Sequence, residues 1–281
     1  MIRGAVPCSM GIIACRGGSV SQSSSDAEDC RESLRAIAHD LGFKKAPLTM
    51  PKGCFTEFVR PSSAAEPRCG LVWMHGLGDT EKGGDFSTSW FDIADLPVSQ
   101  KTHSFAHHGC SLEEALSSCG RVHAAIDQLI TEGIPAERIM VGGFSQGGAM
   151  AMLSAVTYPK RLGGIIVFSG ICFFGDLLKQ LTSAQSAHCT DLAVFWGHGT
   201  RDRVLYADLQ DEGVEMLQVA GLRVTAKKYL AEHDCTEEEL KDAVAFYAAN
   251  LKCVQGVLER WDVGIGAVRS ACQVRTLPAS G

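Results

Sequence analysis

From residue 54 onward the chain alternates short, continuous apolar runs with longer stretches whose apolar residues recur at helical spacing. Residues 69–75 read Cys-Gly-Leu-Val-Trp-Met-His, and residues 138–144, 164–169 and 192–196 are runs of the same kind. Residues 223–230 alternate and form a fifth candidate strand. Runs that are apolar on both sides suit strands covered on both faces, as in a parallel sheet. Helical periodicity fills the gaps. Residues 112–132 place Leu116, Val122, Ile126, Leu129 and Ile130 on one face, and residues 146–157 stop just before Pro159. Residues 206–220 and 236–251 are the other two helices, the last opened by Thr236 as N-cap with Glu239 completing a capping box. Strands and helices in alternation predict an α/β fold, a doubly wound and mostly parallel sheet. Sites in such sheets lie at the carboxyl ends of the strands.

The pattern fades at both ends. Residues 1–53 are expected to be an extension, partly disordered with a short helix, residues 54–251 the domain, and residues 252–281 a tail. The first 25 residues hold Arg3, Arg16 and several serines with no acid. Disorder is preferred over a transit segment, and a secretory segment is the least favoured because Pro7 breaks a short apolar stretch. A start at Met10 would expose Gly11, but Cys15 stands where a myristoylation signal wants Ser or Thr. No apolar run is long enough to span a membrane.

Composition adds exclusions. A formal charge of -6 gives no basic footprint for nucleic acid. The chain has 12 cysteines but no C-x-x-C pair, so a zinc ribbon is not indicated and scattered cysteines are expected to act as small hydrophobes in a reducing, cytoplasmic setting. His103, His107, His108 and Cys110 cluster, yet no second ligand group matches them, so no metal is expected.

The chemistry gathers at strand ends. Gly143-Phe-Ser145-Gln-Gly147 is G-x-S-x-G between a predicted strand and a predicted helix, the setting of a nucleophile elbow. A serine needs a base, and the chain order for this architecture is serine, acid, histidine. His233 follows the fifth strand and Asp202 the fourth. His198 is expected to shape the Gly-His-Gly loop, and Glu237, Glu238 and Glu239 to form a capping face. Oxyanion donors are expected from the amide of Gln146 and from the loop His75-Gly-Leu77-Gly-Asp79. Phe168, Phe173, Phe174 and Leu177 are candidates for an acyl-pocket floor.

Taken together, His75-Gly-Leu-Gly-Asp-Thr80, Ser89-Trp-Phe-Asp92, Gly133-Ile-Pro135, Gly142-Gly-Phe-Ser-Gln-Gly-Gly-Ala149, His198-Gly-Thr-Arg-Asp202 and the late His233 resemble the acyl-protein thioesterase / lysophospholipase carboxylesterase family. The resemblance covers roughly residues 71–251. It implies an α/β-hydrolase without a cofactor, acting on acyl esters, lysophospholipids or S-palmitoyl proteins. It also implies Ser145, Asp202 and His233 as triad, Leu77 and Gln146 as oxyanion-hole amides, and Trp90 lining an acyl channel, though a core aromatic is the plainer reading of Trp90. Peripheral membrane contact is left open.

One departure stands out. Only residues 81–88 separate the His75 loop from Ser89-Trp-Phe-Asp92, too few for a crossover connection. The fold is therefore expected to lack one helix-strand unit beside the first catalytic strand, leaving a gap or an unusual pairing, with the helix from Leu112 as the crossover to the elbow strand. A small-ester carboxylesterase and a catalytically impaired hydrolase-like protein are the alternatives.

Overall fold

The computed structural model describes residues 10–15, 56–59, 69–77, 89–93, 96–98, 110, 112–175, 177, 180 and 186–251. Seven strands form one sheet in the order β2-β1-β3-β4-β5-β6-β7. They are β1 Met10–Cys15, β2 Thr56–Val59, β3 Cys69–Met74, β4 Ile139–Phe144, β5 Gly164–Phe168, β6 Ala193–Gly199 and β7 Arg223–Tyr229. From β3 to β7 every pairing is parallel. The four apolar runs and the alternating stretch of the sequence are these five strands.

The helices are α1 Leu112–Thr131, α2 Gln146–Thr157, the short α3 Ser186–Cys189, α4 Asp208–Val219 and α5 Glu237–Leu251. Strand side chains alternate between two apolar layers. Val72, Met74, Val141, Ile165, Val167, Val194 and Trp196 face α1, α2 and α4. Leu71, Trp73, Met140, Ile166, Phe168 and Phe195 face α5. A sheet covered on both sides explains why β3 to β6 read as unbroken apolar runs. β7, the edge, is mostly exposed and carries Arg223, Lys227 and Lys228, charges that discourage pairing with another chain.

The connection between β3 and β4 is α1, as expected, and β3 lies directly beside β4. Among the described residues no helix or strand lies between β3 and α1. The side of β3 away from β4 is not left open. β1 pairs with it antiparallel, from Met10 opposite Met74 to Cys15 opposite Cys69, and β2 adds parallel to β1. The unusual pairing thus draws on residues 10–15, where the sequence pointed to disorder. A backbone edge inside a covered sheet must find partners for its N–H and C=O groups, and this stretch supplies them. The expected short N-terminal helix and the tail lie outside the described residues.

Cys69 is disulfide-bonded. This departs from the expectation of thiols acting only as small hydrophobes. Cys119 and Cys235 are free thiols.

Leu129 of α1 is fully buried in the layer that packs α1 on the sheet. Leu129→Ala should lower stability by about 2–5 kcal/mol in chemical denaturation, through lost burial and the cavity left behind.

Candidate active site

The register between β3, β4 and β5 brings their carboxyl ends level. Gly143 lies opposite Met74, and Phe144 opposite Phe168. The chain then turns at once into α2. Ser145, the turning residue, has φ 55° and ψ −119°, a conformation that costs a non-glycine residue free energy unless its surroundings impose it. They do. The Ser145 N–H donates to Phe168 O at 2.8 Å, and Ser145 O accepts from Gly148 N at 3.0 Å. Gly143 and Gly147 make the turn sterically feasible. A Cβ on Gly143 would collide with the Gly147 backbone, and one on Gly147 with the carbonyls of Met74 and His75.

His233 and Asp202 arrive from the other strand ends. The loop after β6 carries Asp202 and the loop after β7 carries His233. Backbone bonds join the two loops, Thr200 N to Tyr229 O at 2.7 Å and Arg201 N to Ala231 O at 2.8 Å. His233 Nε2 lies 2.9 Å from Ser145 Oγ, and His233 Nδ1 lies 2.6 Å from Asp202 Oδ2. With the carboxylate accepting, Nδ1 carries the proton and Nε2 is left to accept from the serine hydroxyl. The ring also packs on Phe144, 4.9 Å between centroids.

Asp202 is buried. Its Oδ1 accepts the N–H groups of Val204 at 2.8 Å and Leu205 at 2.9 Å. Oδ2 also lies 3.4 Å from His198 Nε2, which donates to Leu205 O at 2.8 Å. Burial opposes the charge on Asp202, but the hydrogen bonds from His198 and His233 outweigh it and hold the carboxyl well below the usual carboxylate range. His198 therefore shapes the loop, as expected, and also touches Asp202, which its sequence context did not show. Asp208 and Asp211 fall in the first turn of α4, away from the acid's position.

Gln146 opens α2, so its N–H has no acceptor within the helix. Leu77 lies in the turn after β3, partly exposed. A Cβ on Gly76 would come within 3.5 Å of Ser145 Cβ, so this loop runs directly beside the serine. Gly78 and Asp79 lie outside the described residues, as do His103, His107 and His108. Among the described residues no group of three His, Cys, Asp or Glu side chains could hold a metal.

Trp90 departs from the channel-lining role that the resemblance implied. It is 2% exposed. Its Nε1 donates to His75 O at 3.0 Å, and the Arg121 guanidinium sits over its ring at 5.4 Å. It packs as core and fixes the loop after β3. The Gln146 side chain holds the same segment, with Oε1 accepting from Trp90 N at 3.0 Å and Nε2 donating to Phe91 O at 2.7 Å. This double bond to a distant loop had no signal in the sequence. Of the proposed pocket floor, Phe173 and Leu177 pack in the α1, α2 and α4 layer, with Phe173 and Phe174 edge-on to Phe91, while Phe168 points to the α5 layer.

Residues 83–251 match the phospholipase/carboxylesterase family. The chain belongs to that family. Ser145, Asp202 and His233 all fall inside the matched stretch, and the His75 loop falls just before it. Among relatives of this phospholipase/carboxylesterase chain, a probable carboxylesterase of Oryza sativa subsp. japonica is 32% identical, over 69% of this chain and 82% of that protein. Acyl-protein thioesterase 1 of Cryptococcus neoformans var. neoformans is 35% identical, over 52% of this chain and 71% of that protein. The crystal structure of Arabidopsis thaliana SOBER1 superposes with a TM-score of 0.53 at 24% identity, over 85% of this chain and 96% of the other, and shares the fold.

Gln146→Ala keeps the backbone amide but strands the buried Trp90 N–H, while the Phe91 carbonyl keeps the Ser89 hydroxyl. An unpaired buried group costs about 1–3 kcal/mol, and urea denaturation of the variant should show a loss of that size.

Proposed function

We propose that the protein is a serine hydrolase that cleaves acyl thioesters or esters through an acyl-enzyme. The observation that carries this reading is the unbroken path from Ser145 Oγ through the His233 ring to Asp202, 2.9 Å and 2.6 Å long, at the ends of three parallel strands. Ser145 Oγ attacks the acyl carbonyl carbon while His233 Nε2 takes its proton. Asp202 holds the ring in the required tautomer and stabilises the imidazolium. The carbonyl oxygen becomes an oxyanion, received by the amides of Leu77 and Gln146. The tetrahedral intermediate collapses with loss of the thiolate or alkoxide, which leaves with the proton from His233. Water, deprotonated by the same ring, then attacks the acyl-enzyme and releases the fatty acid and Ser145. None of these steps calls on a cofactor.

As substrates we propose S-acylated proteins or acyl-ester lipids. Relatives named acyl-protein thioesterase 1 support this. Among the described residues no helix is long and apolar enough to cross a membrane.

A fluorophosphonate probe should label the native protein at Ser145 and leave Ser145→Ala unlabelled. Asp202→Asn, which forces the wrong tautomer, should slow turnover by about 10⁴-fold without unfolding the chain. Folded protein that takes no label would instead be the hydrolase-like binding protein. Turnover should favour a palmitoyl thioester over an acetyl one; the reverse order makes the protein a small-ester carboxylesterase.

A further inference from the structure

Three glutamates open α5, and two of them face water. Glu237 and Glu238 are exposed, whereas Glu239 is fully buried. Its N–H donates to Thr236 Oγ1 at 3.0 Å, and its Oε2 accepts the Thr236 N–H at 3.4 Å. That is the capping box read from the sequence. Capping alone does not require burial, because a carboxylate at a helix N-terminus is well served in water. Here Oε1 has no hydrogen-bond partner among the described residues. It lies against Gly197 of β6, where a Cβ would overlap Oε1 and come within 2.7 Å of Cδ. Glycine at position 197 is what leaves room for this carboxyl.

Two loops meet at that contact. Thr236 ends the loop that carries His233. Gly197 precedes His198 and the loop that carries Asp202. We propose that Glu239 is a positioning residue, its buried carboxyl bracing the end of the His233 loop against the end of β6 and so fixing the alignment of His233 with Asp202. The proposal rests on the hydrolase reading above.

The surroundings of Glu239 favour its neutral form. Asp234 precedes it in the loop, and Asp242 follows it on α5. From β7, Tyr229 donates its hydroxyl to Asp242 at 2.7 Å, and Lys227 is paired with Asp242 at 2.8 Å, so that cation is engaged. From β6, Gly197 offers no charge, and His198 turns to Leu205 and Asp202 on the other side of the strand. Burial pushes the Glu239 carboxyl up to about 8, against the Thr236 N–H and with Asp234 and Asp242 adding to the rise. The folded value lies above the unfolded one. The folded chain therefore holds the proton longer, and the brace weakens as pH rises through about 8.

The test uses the full-length wild type, E239Q, E239A, G197A and the double variant G197A/E239A. Two quantities are followed between about pH 5 and 9: the rate of fluorophosphonate labelling at Ser145 and the thermal unfolding midpoint. Wild-type labelling should slow on the alkaline side, with a falling midpoint. E239Q, neutral at every pH, should label at the wild-type rate at neutral pH and keep that rate on the alkaline side. E239A and G197A should each slow labelling by about ten- to a hundredfold, and the double variant should be no slower than E239A, since the overlap at Gly197 is gone. An alkaline fall in E239Q equal to that of wild type overturns the proposal. So does wild-type labelling in E239A, or losses that add in the double variant. A wild type that takes no label at any pH overturns the hydrolase reading and this role with it, whereas a labelled wild type beside an equally labelled E239A overturns this role alone.

Discussion

The close approach of the elbow to the end of β3 is the constraint on which the site depends. Gly147 sits so near the carbonyls of Met74 and His75 that no side chain fits between them. That nearness forces several other features. Ser145 must turn with a positive φ. The loop after β3 must pass beside the serine, which brings Gly76 against Phe144 and Ser145. The serine is held out at the strand tip, where a histidine from β7 can reach it. The parallel register supplies the remainder, because strands that end level deliver their loops to one plane.

Electrostatics then separate the roles of the buried carboxyls. Asp202 is surrounded by donors: two backbone N–H groups and two histidines. It keeps its charge despite burial. Glu239, more deeply buried still, meets one N–H, a glycine backbone and two other acids. It gives up its charge instead. The same residue chemistry yields an anion in one place and an acid in the other, and donor supply decides which.

The five central strands, the strand–Ser145–helix turn and the placing of Asp202 and His233 after later strands were legible in the sequence, because each rests on local pattern or chain order. Apolar runs with helical stretches between them give a parallel sheet, and a parallel sheet gives the site's location. The unread features are those that depend on which distant residues the fold brings together. Trp90 stands in a motif suggesting a channel, yet the carbonyl of His75 and the ring's burial make it core. Gln146 was read for its amide, while its side chain ties down residues 55 and 56 positions earlier. Glu239 was read as one of three capping acids, and only the nearness of β6 sets it apart. Residues 10–15 lack an amphipathic signal, and the open side of β3 recruited them.

That recruitment has a consequence for the order of assembly. β1 is made before the strand it pairs with, and Cys69 lies 54 positions after Cys15. At ordinary rates of synthesis this means roughly several seconds in which β1 has no β3 to join. The block from β3 to β7 alternates strand and helix and can be laid down in chain order. β1 must instead wait, reverse its direction relative to that block and close a long loop onto it. The side of the sheet nearest the serine is therefore completed by the part of the chain that has waited longest.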